Sequence, residues 1–345
     1  MRKYPLALLL ILTACGIGPP RLSNDRISYN EAISESWKSQ MLLNIVKLRY
    51  MDAPVFLDVQ QILAGYSLES SGTAAWSENG LASGWSVGGH GRFTDRPTIT
   101  FRPVSGAEFA KSFMTPIPPS AIFFLIQAGF SADYVLALCV QSINGLRNTS
   151  GGKSRMGAAD DRFVRLLEAM SKAQKVGALG MRVEASKTGN STVLFFPTEG
   201  HDAETTAIVE EITGLLKLEK GRREFKIEYS TAPGGKDTIV MLTRSALTIM
   251  FELAVQIDVP EEHHAKHYCV PSPAIDESIR LIRVHTGASD PGKDAFVKVK
   301  HTGYWFWIRR DDISSKRTFS FTRLLFGFVD KGEPPPPTLV TVPAG

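Results

Sequence analysis

Between residues 161 and 330 the chain alternates strand-forming and helix-forming runs in one repeated order, and that order constrains the fold more than any other feature. Met181 to Lys187, a Gly189-Asn190 turn, Thr192 to Phe196 and a helical run from Ala203 to Leu218 predict strand, strand, helix. Phe225 to Ser230, the Pro233-Gly234-Gly235 turn, Thr238 to Leu242 and a run from Ser245 to Ile257 predict the same order again. Phe296 to His301, a turn at Gly303, Tyr304 to Ile308 and Ser314 to Phe328 predict it a third time. The similar spacing suggests related ββα units. Side chains at matched positions differ, however, so ordinary alternation explains the pattern equally well. Both readings give an α+β protein.

The first half mixes helices and strands less regularly. Ser28 and Glu31 form a capping box, predicting a helix to about Tyr50 with Ile33, Trp37, Met41, Ile45 and Leu48 along one stripe. Strands are expected at Val55 to Ile62 and Pro97 to Val104. A second capping box, Ser105 and Glu108, predicts a short helix to about Thr115. Ala121 to Phe130 is apolar, and Ser131 caps a further run to about Ile143. Gln127, Gly129, Ser131 and Asp133 interrupt this region too often for a membrane span, so it reads as a buried helical hairpin. The expected organisation is an N-terminal α+β domain over 28–147, a Gly/Ser-rich linker loop over 148–160, a C-terminal α+β domain of ββα units over 161–330, and a Pro-rich tail over 331–345.

The stretch from Gly65 to Thr94 is rich in Gly and Ser, with Trp76, Trp85 and Phe93 interspersed. It has two readings. One is a long exposed hairpin or loop. The other takes Tyr66 to Trp76 and Ala82 to Thr94 as strands near the ~9–11 residues that cross a bilayer, with several copies contributing hairpins to one barrel. Glu69, Glu78, His90 and Arg92 count against a lipid-facing surface, but some could face a lumen.

The N-terminus fixes an expected location. Arg2 and Lys3 precede an apolar run from Leu6 to Leu12, far shorter than the ~20 residues of a spanning helix, and Thr13-Ala14-Cys15 follows. Leu12-Thr13-Ala14-Cys15 resembles the lipobox of bacterial lipoproteins. The resemblance implies that residues 1–14 are a cleaved signal and that Cys15 becomes a lipid-bearing first residue, with 15–27 as a tether. Acyl chains stabilise the membrane-bound state by about 0.8 kcal/mol per buried CH₂, so several chains anchor effectively for good. Gly16 stands where the family's sorting rule places Asp for inner-membrane retention, which implies the periplasmic face of the outer membrane.

Charge excludes a nucleic-acid binder. The chain holds 39 Lys+Arg against 35 Asp+Glu, and two of the cations leave with the signal. Hydrophobic residues at 43% with charged residues at 21% indicate a globular chain. Beyond Cys15, Cys139 and Cys269 either form one long-range disulfide or remain thiols, Cys139 buried in its apolar run.

Several motifs fail on context. Gly152-Lys153-Ser154 lacks the first glycine of a phosphate-binding loop, since Arg147 stands there. Ser150-Gly151-Gly152-Lys153 and Lys187-Thr188-Gly189 imitate penicillin-recognising enzymes, but too few residues separate them. Glu261-Glu262-His263-His264 with His267 and Cys269 is the richest set of potential ligands. On a helix His263 and His267 share a face and, with Cys269 or Glu262 as third ligand, compose a zinc site; as an exposed connecting helix they are incidental. Finally, Lys293, Lys298, Lys300, Arg309, Arg310, Lys316, Arg317 and Arg323 face only Asp294, Asp311 and Asp312 in the last unit. With Trp305 and Trp307 these cations compose either a solvated sheet face or a surface for lipid phosphates or an acidic partner. Four aromatics in a row, Tyr304 to Trp307, predict a strand buried on both faces or covered by a partner.

Gln40-Met41-Leu42-Leu43-Asn44 and Pro97-Thr98-Ile99-Thr100 give the chain a loose resemblance to uncharacterised proteobacterial lipoproteins. With no catalytic constellation, the expected function is that of a structural or interaction component of an envelope assembly. It is held to the membrane by the Cys15 lipid, needs no other cofactor, associates with envelope proteins and is open to oligomerisation. The alternatives are an envelope hydrolase with a dispersed site and a metal-binding lipoprotein.

Overall fold

The computed structural model describes residues 19–63, 66–79, 82–95, 98–104, 106–149, 159–186, 189–197, 202–231, 234–269 and 280–329. The signal segment, Cys15, residues 150–158 with their two motif matches, Lys187-Thr188 and the tail 331–345 lie outside the described residues. The strands form several sheets accompanied by helices, and the protein belongs to the α+β class. Two compact units divide the chain: Met1–Pro54 with Gly106–Gly345, and Val55–Ser105.

In the larger unit, α1 runs from Pro19 to Arg49 and so begins well before Ser28. Proline suits a helix's first turn, where its missing N–H is not needed, and no Gly or Pro follows before Ser28 to stop the helix. The tether expected at 15–27 is therefore helical from residue 19. Along the stripe Ile33 and Trp37 are half-buried, whereas Met41, Ile45 and Leu48 are 4%, 0% and 4% exposed. α2 (Ala107–Met114) has Gly106 at its N-cap with φ 108°, a backbone that glycine adopts without strain, while Ser105 of the expected capping box lies outside the described residues. The expected helical hairpin is α3 (Pro119–Gln127) and α4 (Ala132–Cys139). Ser131 stands at the N-cap, but its hydroxyl bonds the Asp133 carboxylate instead of a backbone N–H.

α4 does not continue to Ile143. Val140–Ile143 forms β5 instead, because a partner strand is available: Met241 lies opposite Ile143. The elements β6 (Leu146–Arg147), α5 (Asp161–Lys175), β7 (Gly180–Ser186), β8 (Gly189–Phe195), α6 (Ala203–Leu215), β9 (Glu224–Tyr229), β10 (Thr238–Thr243) and α7 (Ala246–Ala254) follow. Strands β6-β5-β10-β9-β8-β7 build one six-stranded sheet. Since β5 and β6 precede residues 148–160 and the other four strands follow them, the expected domain boundary there falls inside a single sheet.

Two of the ββα units also prove unlike. β7 and β8 form an antiparallel hairpin, as expected, whereas β9 and β10 run parallel with Thr238 opposite Lys226. The second connection carries the chain back along the strand rather than reversing it. Gly234 lies on that return path, where a Cβ would meet the Val240 side chain at 2.7 Å and the Thr238 carbonyl at 2.8 Å.

A separate three-stranded sheet, ordered β11-β13-β12, contains the third unit: β11 (His285–Gly287), β12 (Ala295–His301) and β13 (Tyr304–Arg309), with α9 (Ile313–Val329) after it. Its inner face is apolar, with Val297 at 4%, Val299 at 8%, and Phe306 and Ile308 at 0% exposure. α1 packs on β12 and on α7, and α7 on α9, so the first and last elements among the described residues share one core.

The smaller unit is made of ribbons. β1 (Phe56–Leu63) pairs antiparallel with β4 (Thr98–Val104), shifting register between Val59 and Gln61. β2 (Tyr66–Asn79) pairs with β3 (Ala82–Asp95) along their whole length. Leu63 opposite Thr98 and Tyr66 opposite Asp95 put both ladders in the same register.

Candidate functional site

The predicted ligand cluster is taken apart by the end of its helix. α8 covers only Glu261–Ala265, and His267 follows at φ 55°, exposed. His263 points inward at 3% exposure, and its Nδ1 lies 2.7 Å from the Tyr50 hydroxyl at the end of α1. His263 and His267 therefore do not share a face. Cys269 lies beside His264 rather than either of them, Sγ to Nδ1 3.8 Å. Among the described residues no group of three His, Cys, Asp or Glu side chains is placed to hold a metal ion. Cys139 and Cys269 are both free thiols, so the disulfide alternative does not hold.

A polar-aromatic knot occupies this place instead. The Tyr50 ring meets His301 edge-on at 5.1 Å and Phe306 at 6.1 Å, and Tyr304 meets His263 at 5.1 Å. Burial pushes the Tyr50 phenol up to about 12, opposed by its hydrogen bond with Thr302. Burial also lowers His301, with Asp52 at 3.7 Å pulling the other way. The Tyr304 hydroxyl holds Glu262 below the usual carboxylate range. Cys269 is raised by burial despite the nearby Arg49, which is the opposite of what an activated nucleophile needs. The arrangement joins α1, α8 and the β12–β13 turn; its chemistry is that of a structural joint.

A second buried polar group escaped the sequence reading. The Arg244 side chain is 0% exposed; its Nη1 donates to the carbonyls of Ala137 and Leu138 at 2.8 and 3.0 Å, and its Nη2 lies 3.5 Å from Glu252, itself 5% exposed. Burial lowers the Arg244 pKa, with Glu252 opposing. This pair ties β10 and α7 to the end of α4. Glu252 is eight residues on, but nothing local in sequence shows that Arg244 is buried, because the carbonyls it donates to are about a hundred residues away.

The aromatic-basic surface is partly assembled. Lys298 lies opposite Trp307 and Lys300 opposite Trp305, so these four share the outer face of the sheet, and alternation adds Arg309. Phe306 and Ile308 are fully buried while Trp305 and Trp307 are half-buried, so the strand is covered on one face, not two. Acids offset much of the charge: Lys298 pairs with Asp290 at 2.5 Å and Arg309 with Asp311 at 2.8 Å. Arg310 donates to the carbonyls of Lys293 and Ala295, Lys316 to that of Arg310, and Arg317 stacks over Tyr134. The surface is smaller and less positive than the residue count suggests.

The β2–β3 ribbon gathers its large apolar residues on one face. Register places Leu68 opposite Phe93, Ala74 opposite Val87 and Trp76 opposite Trp85 on one face. The other face carries Glu69 opposite Arg92, Ser71 opposite His90 and Ser77 opposite Gly84. Among the described residues each strand has one sheet neighbour, the other strand. No family model, curated protein or solved structure matches the chain.

Proposed function

We propose that the protein is a lipid-anchored component of an envelope assembly at the periplasmic face of the outer membrane, acting by binding rather than by catalysis. The observation that carries this reading is the β2–β3 ribbon, two 14-residue strands in a two-stranded sheet. A two-stranded ribbon is marginal alone in water, and its outer edges are templates for another chain. The Cys15 lipid supplies the membrane attachment, and the half-buried tryptophans of β13 supply a second, smaller contact surface.

The test is extraction of a C-terminally tagged copy from native membranes in mild detergent, followed by its size and composition. A defined complex is expected, and Cys15→Ser is expected to release the protein from the membrane fraction. A lone monomer after cross-linking in cells rules the assembly out.

A further inference from the structure

We infer that β2–β3 is one stave of a transmembrane β-barrel closed by the same hairpin from further copies of this chain. The inference rests on the assembly reading above and names its partner.

The edges come first. Natural sheets blunt an exposed edge with Pro, Lys or a bulge. Neither Pro nor Lys occurs in Tyr66–Asn79 or Ala82–Asp95, and the ladder runs without a register shift from one end to the other. Nothing in the ribbon discourages a further strand.

The faces say where such a sheet can lie. On the face bearing Trp76 and Trp85, Leu68, Ala74, Val87 and Phe93 are joined by Ser70, Gly72, Gly89 and Gly91, and its two charges stand at the ends, Asp95 opposite Tyr66 and Glu78 beyond Trp76. The opposite face holds Glu69, Arg92 and His90. Barrel strands alternate in this way, apolar toward lipid and polar toward the lumen. A soluble partner packed on the apolar face would also leave the polar face to water, as α1 does on β12; it is the length of the band and its aromatic ends that point to lipid.

Length agrees. From Tyr66 to Trp76 the strand extends about 34 Å at ~3.4 Å per residue. Tilted by ~40°, that is about 26 Å along the membrane normal, against the ~25 Å apolar band of outer-membrane barrels. Aromatic residues mark both ends of the band, Tyr66 and Phe93 at one and Trp76 and Trp85 at the other, as the interfacial girdles of such barrels do.

Closure needs no second protein. A hairpin's first strand laid beside the second strand of the next copy is antiparallel, and because β2 and β3 are equally long, the apolar bands stay level around the ring. Such a heterologous contact repeats until it closes. The smallest known barrels have ~8 strands, so at least about four copies are required.

Neighbouring positions on opposite faces provide the test. Full-length acylated protein is reconstituted into vesicles of phosphatidylethanolamine and phosphatidylglycerol loaded with a self-quenching dye, and its oligomeric state is measured in detergent. The expected result is a homo-oligomeric ring that releases dye. Ala74→Arg, on the apolar face, lowers release at least about tenfold, whereas Ala75→Arg, on the polar face, keeps release within about twofold and changes ion selectivity. Thermal unfolding of both full-length variants checks that the rest of the chain still folds. A ring without dye release, or equal effects of the two substitutions, overturns the barrel. A complex with one copy of this chain among other proteins overturns it while leaving the assembly reading standing, and a lone monomer removes both.

Discussion

β12–β13 and β2–β3 are both antiparallel hairpins rich in aromatic residues, yet they solve the problem of a sheet's second face in opposite ways. The shorter one buries Phe306 and Ile308 in a core shared with α1, and its outer face is left with tryptophans whose neighbouring cations are largely paired with acids. The longer one has as many residues on each face and, among the described residues, no third strand. Alternation alone does not say whether an apolar face meets a helix, a partner or lipid. What distinguishes the two is the surrounding sequence: an amphipathic helix follows β13 within a few residues, whereas strands flank β2–β3 on both sides.

The largest effect expected is on the covered hairpin. Phe306→Ala destabilises the protein by about 4 kcal/mol in urea unfolding, through lost burial and a residual cavity, whereas Trp76→Ala changes it by about 1 kcal/mol or less. If the two cost the same, the hairpins do not differ in the way described. Glu252→Ala strands the buried Arg244 charge and costs about 3 kcal/mol in the same measurement. Tyr50→Phe removes the hydrogen bond to His263 and costs about 1 kcal/mol. Zinc or a chelator is expected to leave the melting temperature of the parent protein unchanged; a zinc-dependent rise would restore His263 as a ligand.

A smaller effect follows from pH. Burial depresses both His285 and His301 in the folded state, so the unfolded chain binds more protons below the ordinary histidine value of ~6.5. Stability is full above that pH and is lost as the pH falls through the depressed folded values. Unfolding midpoints measured between pH 7.5 and 5 are expected to decline, and His301→Gln to flatten the decline. Lys298→Ala is expected to change stability by no more than about 0.5 kcal/mol, since a surface pair contributes little.

Much of the fold was legible because periodicity is local. The stripe from Met41 to Leu48 and the strands β8 and β13, each to within a few residues, follow from alternation and turn residues, and one of the two readings of Gly65 to Thr94 places β2 and β3, with β2 stopping at Trp76 rather than Asn79. The errors arose where a distant partner decided the outcome. Val140–Ile143 continues an apolar helical run, and only β10, a hundred residues on, makes it a strand. Likewise β9 and β10 resemble a hairpin in sequence, because a Pro-Gly-Gly segment favours a turn without specifying where the chain goes next. At the predicted ligand cluster the i, i+4 spacing of His263 and His267 was real, but α8 ends between them. Tyr50, which claims His263, lies at the far end of the sequence.

The contact between α1 and β12 carries a consequence for the chain's emergence from the ribosome or an export channel. The buried stripe of Met41, Ile45 and Leu48 is made early, while α7 and β12, the elements that pack on α1, begin at Ala246 and Ala295. At a synthesis rate of ~5–20 residues per second, the roughly 200–250 intervening residues leave α1 without these partners for about 10–50 s. Such a chain cannot close its core from the N-terminus onward. Its earliest apolar surface is its most durable exposure to aggregation, and the period in which a holding chaperone matters ends only when the last hairpin arrives.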